Sequence, residues 1–148
     1  MRRRTLPEVS MRNLAAIALG LLFTGLGNFG AAAATPMAFP AAYTAQGHTT
    51  NSVALFVMLS ITLVFAVFGG WVTARIAPDH RMGHALTMAV LGLAAAVFIG
   101  AVRWAAAPAW YYVVSWALLP VAAGIGVAAW ERTLRRKGTG MARTVAAT

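Results

Sequence analysis

A chain of 148 residues that is 60% hydrophobic and only 10% charged lies far outside the composition of a water-soluble domain, in which about a quarter of residues carry charge. That balance excludes a soluble fold, and the absence of cysteine excludes disulfides and thiolate metal centres. The net charge of +9 would suit a nucleic-acid partner if the cations formed one patch, but their order along the chain is that of a membrane topology signal.

A helix needs about 20 apolar residues to cross about 30 Å of hydrocarbon at a rise of about 1.5 Å each. Four stretches meet that demand, residues 14–34, 53–74, 85–102 and 110–130, and they use most of the chain. The predicted architecture is all-α, a single four-helix transmembrane domain with a basic tail over residues 131–148. Arg2, Arg3, Arg4 and Arg12 precede the first span, and Arg75 and Arg81 separate the second from the third. Arg132, Arg135, Arg136, Lys137 and Arg143 follow the fourth, leaving Arg103 alone on the other side. Short loops rich in Arg and Lys stay in the cytoplasm during insertion, so both termini are expected inside. Arg132, Arg135, Arg136 and Lys137 are candidate contacts for anionic lipid headgroups, each worth about 1 kcal/mol near such a surface.

The first span has a second reading as a cleaved export signal, with Arg2 to Arg4 as its basic region and Ala31 to Ala34 as small residues for cleavage. Against it, the apolar run continues through Phe29 and is long enough to span. Gly25, Gly27 and Gly30 have the spacing G-x-G-x-x-G of a dinucleotide cradle. No strand precedes them and no acidic residue follows about 20 positions on, so helix packing is the expected role and no cofactor is expected. Asn28 stands apart from the other polar residues of the spans, Thr24, Ser60, Thr62, Thr73, Thr87 and Ser115. Hydroxyls bond back to their own helix backbone, whereas an amide is not satisfied so locally. Asn28 is therefore expected to bond across to another helix or to line a small polar path.

The outer loop, residues 35–52, carries Pro36, Pro40, Gly47 and His48 and no formal charge, and Thr50, Asn51 or Ser52 is expected to cap the second helix. Asp79, after Pro78, is the expected cap of the third. His80 and His84, four apart and next to Asp79, are weak candidates for a metal site, disfavoured by Arg75 and Arg81 nearby; no metal is expected. Aromatic residues fall at the span ends, Trp71 and Trp130 inside and Tyr43, Trp104, Trp110, Tyr111 and Tyr112 outside. Small residues recur every four positions, Ala16 and Gly20, Ala66, Gly70 and Ala74, Gly92, Ala96 and Gly100, Gly124 and Ala128, the spacing that lets helix backbones approach in lipid. Larger side chains at Gly92 or Gly100 are expected to disrupt a contact, more sharply than at Ala96. Pro120 is expected to bend the fourth helix by removing a backbone donor.

No acidic or histidine residue occurs in the middle of any span, the residue type a proton-coupled pump needs there, and Glu8, Asp79 and Glu131 lie at or beyond helix ends. Ser60 and Ser115 have no histidine at their depth, which argues against hydrolysis in the membrane. The segments Gly69-Gly70-Trp71-Val72-Thr73-Ala74-Arg75-Ile76-Ala77, His84-Ala85-Leu86, Pro108-Ala109-Trp110-Tyr111 and Leu118-Leu119-Pro120 carry a resemblance across the last three helices. In them the chain resembles a group of small bacterial four-span membrane proteins without an established function. The resemblance implies a bacterial inner-membrane location and brings no catalytic residues. Small multidrug exporters and fluoride channels do not fit, lacking here their first-span acidic residue and their Phe-Ser-Thr-Phe type motif. The expected function is that of a non-enzymatic bundle that associates with itself or with a larger membrane protein. The alternative is a channel or carrier for a small neutral or anionic solute, with Asn28 on its path and Arg103 at its outer mouth.

Overall fold

The computed structural model describes residues 6–77 and 79–145, with side chains over residues 11–77 and 79–136. It contains four long helices, α1 (Leu6–Ala38), α2 (Ser52–Ile76), α3 (Arg81–Val102) and α4 (Ala109–Val145), with short 3-10 turns at Pro40–Ala42 and Trp104–Ala106 and no strand among the described residues. Each helix is long and apolar enough to cross a membrane, over Met11–Ala38, Ser52–Ile76, Arg81–Val102 and Ala109–Arg136. The fold is that of a multi-pass membrane protein.

The helices outrun the apolar stretches because backbone hydrogen bonding does not stop where hydropathy does. α1 continues past Pro36, whose missing amide leaves the Ala32 carbonyl without its usual donor. Around that gap the Thr35 hydroxyl donates to the Ala31 carbonyl at 2.8 Å, and the Phe39 amide reaches the Thr35 carbonyl at 2.9 Å. α4 runs through Pro120 unbroken and on through much of the segment expected as a basic tail. The residues that follow Trp130 directly, Glu131, Arg132, Leu134, Arg135, Arg136 and Lys137, are good helix formers. Asn51 is the cap of α2, its side chain accepting from the Ala54 amide at 3.1 Å. At α3 the cap position falls on His80, in the left-handed region at φ 46° with no side-chain cap bond, rather than on Asp79.

The four helices pack in the ring order α1, α2, α4, α3, with α2 also touching α3 across the middle. Gly20 of α1 meets Gly69 of α2, and Arg12 donates to the Ile76 carbonyl at 3.4 Å, so α1 and α2 run antiparallel. Leu55 packs with Tyr111 and Ala74 with Val127, so α2 and α4 run parallel. The start of α1, the end of α2, the start of α3 and the end of α4 thus share one end of the bundle. That end carries Arg12, Arg75, Arg81, Arg132, Arg135 and Arg136, and the opposite end carries Arg103.

Small residues make the closest contacts. A methyl group at Gly69 would sit 2.5 Å from Thr24 Oγ1 and 2.7 Å from the Gly20 carbonyl oxygen. One at Gly70 would overlap the Ala123 carbonyl, one at Gly126 the Val67 carbonyl, and one at Gly27 the Phe65 side chain. Such approaches replace the missing hydrophobic drive in lipid by backbone dispersion contact. The glycines of α3 differ from one another. A methyl at Gly100 would lie 2.8 Å from a Trp116 ring carbon and 3.1 Å from Tyr112, whereas at Gly92 the nearest atoms are the Leu21 and Leu119 methyls at 3.6 and 3.8 Å. Gly100→Ala is expected to lower stability by about 1–2 kcal/mol, since two ring side chains packed on each other do not yield easily. Gly92→Ala is expected to be neutral or to gain up to about 0.5–1 kcal/mol from helix propensity. Denaturation of the two variants in mild detergent measures the difference, and equal losses would refute it.

Candidate functional site

The polar side chains of the spans divide into those satisfied locally and those that are not. Thr24 donates to the Gly20 carbonyl at 3.0 Å, Ser60 to Phe56 at 2.8 Å, Thr87 to Gly83 at 3.0 Å and Ser115 to Tyr111 at 2.6 Å, each one turn back on its own helix. Thr73 does the same to Gly69 at 2.9 Å, but its Oγ1 also lies 3.2 Å from the Ala16 carbonyl of α1 and 3.3 Å from Met88 Sδ of α3. One buried hydroxyl therefore has acceptors of three helices within reach, the Gly69 carbonyl being the nearest. The Thr62 hydroxyl is buried with no hydrogen-bond partner among the described residues.

Asn28 is on the exposed side of α1, and its amide makes no hydrogen bond to any other described residue. It neither bonds across to a neighbouring helix nor lines an interior path of one chain. The helical period explains this placement. Thr24, Gly27 and Ala31 are buried against the bundle, and a residue one position past Gly27 is turned by about 100° away from that seam. Gly25 and Gly30 also face open space, and only Gly27 of the three glycines packs, against Phe65. α1 runs as continuous helix through all three, so the strand-turn-helix setting of a dinucleotide cradle is missing.

Of the expected packing residues, Gly20 faces Thr73 and Met88, Gly70 faces Ala123, Gly100 faces Trp116 and Tyr112, and Gly92 makes only loose contacts. Ala96 is half-buried. Gly124 is a correction, because nothing lies near the position of a methyl there; the tight contact of α4 is made by Gly126, two residues on and about 200° around the helix. A four-residue periodicity cannot tell which of two glycines faces the neighbour. His80 precedes α3 rather than sharing a helical face with His84, and among the described residues no three His, Cys, Asp or Glu side chains are grouped to hold a metal ion.

At the basic end, the Arg75 guanidinium lies 5.2 Å from the Trp71 ring centroid and 5.8 Å from that of Trp130, and the two rings meet edge to face at 5.6 Å. This is a cation held beside two aromatic rings at the basic end of the bundle. Arg132, Arg135 and Arg136 are exposed along the continuation of α4. The Lys137 side chain lies outside the described ones, as do those of Arg2, Arg3, Arg4, Glu8 and Arg143. At the opposite end the two connecting loops are tied by the Thr49 amide donating to the Ala106 carbonyl at 3.0 Å. Tyr43 donates to Thr35 Oγ1 at 2.9 Å, and Tyr112 donates to the Arg103 carbonyl. Trp104 stacks on Tyr112 at 5.2 Å, and an open cleft of about 390 Å³ lies between the loops, lined in part by Tyr43, His48, Thr49 and Pro108. This sequence-distant loop junction had no signal in the sequence beyond its aromatic content.

Comparison with protein-family models, with curated proteins and with solved structures finds no match. The class is therefore fixed by the fold alone, a four-helix multi-pass membrane protein.

Proposed function

We propose that this chain is a non-enzymatic membrane bundle that works by association, with copies of itself or with a larger membrane protein, in a bacterial inner membrane and with both termini in the cytoplasm. The orientation rests on the basic end being the one retained inside, and the bacterial membrane on the resemblance carried by the Gly69–Ala77 segment and its partners. The observation that carries the reading is the closure of the seams. α1, α2 and α4 meet backbone against backbone at Gly20, Gly69, Gly70 and Gly126, so the surfaces open to other molecules are the lipid-facing sides and the two ends. A solute path through one chain does not fit this packing, and a path using Asn28 would have to run between chains.

The test is purification in mild detergent at native expression level, with the mass of the intact complex and the identity of what copurifies. A homo-oligomer or a stoichiometric membrane partner is the expected outcome. A monomer that emerges alone, at concentrations typical of its membrane, would overturn the proposal.

A further inference from the structure

Resting on the associative reading above, we infer that α1 is the surface through which two copies of this chain pair, with Asn28 of each copy hydrogen-bonded to Asn28 of the other. The starting point is depth. The span of α1 covers Met11–Ala38, so Asn28 lies about 5 Å from its middle at a rise of about 1.5 Å per residue, well inside the hydrocarbon. Its amide is exposed on the outer side of α1 and has no hydrogen-bond partner among the described residues. A carboxamide left there without hydrogen bonds is costly, because no water reaches that depth to replace them.

The chemistry of the group selects its occupant. An amide carries both a donor and an acceptor, so its complement is another amide, and a lipid tail offers neither. Copies inserted in the same orientation all hold Asn28 at the same depth, so a two-fold axis along the membrane normal brings the two amides face to face without any change of fold. The surroundings allow the approach. Gly25 and Ala32 flank Asn28 at spacings of three and four, the seam spacing of a left-handed helix pair, and both are exposed, with nothing near the position of a methyl at Gly25. Bulkier Phe29, 77% exposed, lies beside the seam and would close over its flank in the pair.

The chain has no cysteine, so single cysteines report contacts cleanly. Gly25→Cys and Ala32→Cys in membrane vesicles of phosphatidylethanolamine and phosphatidylglycerol are expected to form disulfide-linked dimers on mild oxidation, and Ala94→Cys on the exposed side of α3 is expected not to. Energy transfer between labelled copies, followed as lipid dilutes them, is expected to give an association about tenfold weaker for Asn28→Leu and near wild type for Asn28→Gln, the change typical of one interhelical polar bond in lipid. Asn28 is exposed and makes no hydrogen bond to the other described residues, so its substitution is expected to leave the bundle folded. Dimers cross-linked through Ala94→Cys alone, with Asn28→Leu unaffected, would overturn the α1 assignment and leave self-association standing. Energy transfer at the level of chance in the unsubstituted chain would overturn the pairing, and the same α1 cysteines cross-linking in native membranes to a different membrane protein rather than to each other would do so while keeping the associative role.

Discussion

Gly126→Ala is expected to cost about 3 kcal/mol of stability, while Gly124→Ala, two residues earlier on the same helix, leaves stability unchanged or raises it slightly. The two changes add the same methyl to the same α-helix, so intrinsic propensity favours both equally, by up to about 1 kcal/mol. Their surroundings differ. The methyl at position 126 would overlap the Val67 carbonyl and come within 2.6 Å of the Trp71 amide nitrogen, and the one at 124 would meet nothing. Backbone atoms cannot rotate aside as a side chain can, so α2 and α4 would have to part along the Ala66–Leu119–Ala122 and Ala74–Val127 contacts. Overpacking of this kind lies at the upper end of its usual range of about 1–3 kcal/mol. Heat or denaturant stability of the two purified variants in one detergent checks the contrast. Equal stability of the two would mean that α2 and α4 are not in backbone contact. Gly70→Ala, which faces the Ala123 carbonyl across the same seam, is expected to behave as Gly126→Ala does.

Gly20→Ala is expected to be destabilising by about 2–3 kcal/mol and to be partly rescued by Thr73→Ala. A methyl at Gly20 would run into Thr73 Oγ1 and Met88 Sδ and lie 3.0 Å from the Gly69 carbonyl oxygen. Met88 is flexible and can withdraw its sulfur, but Thr73 is β-branched, buried and tied to the Gly69 and Ala16 carbonyls. Thr73→Ala alone is expected to cost about 1 kcal/mol, the usual net worth of one hydrogen bond, because the Gly69 carbonyl keeps its helical donor. In the double variant the space vacated by the hydroxyl accepts the new methyl, so the combined loss should fall well short of the sum. A double-mutant cycle on thermal stability measures that coupling, and strict additivity would show that the two residues do not meet.

The sequence determined the class, the number of spans and their approximate limits, because hydropathy over about 20 residues is a property of the chain and needs no partner. It also determined the division of charge between the two ends, since alternate loops of four successive spans must fall on alternate sides. The back-bonding of Thr24, Ser60, Thr87 and Ser115 was legible for a similar reason, as each acceptor lies one turn away on the same helix. Helix ends were less legible, and α4 continues far past Trp130 because a helix outside the bilayer depends on propensity rather than hydropathy.

What only the tertiary structure decided is which way each special residue faces. Gly124 and Gly126 are both small and both in α4, yet rotation of about 200° separates the one in open space from the one pressed on α2. Asn28 is polar in any arrangement, but whether its amide meets a helix of its own chain or the lipid depends on the azimuth at which α1 docks, set by Gly20 and Gly27 against α2. Thr73 reads as an ordinary back-bonding hydroxyl until α1 and α3 bring Ala16 and Met88 to it. Local chemistry is written along one helix, whereas facing is fixed by contacts among helices distant in the chain, and in lipid those contacts are made by whichever small residues let the backbones come closest.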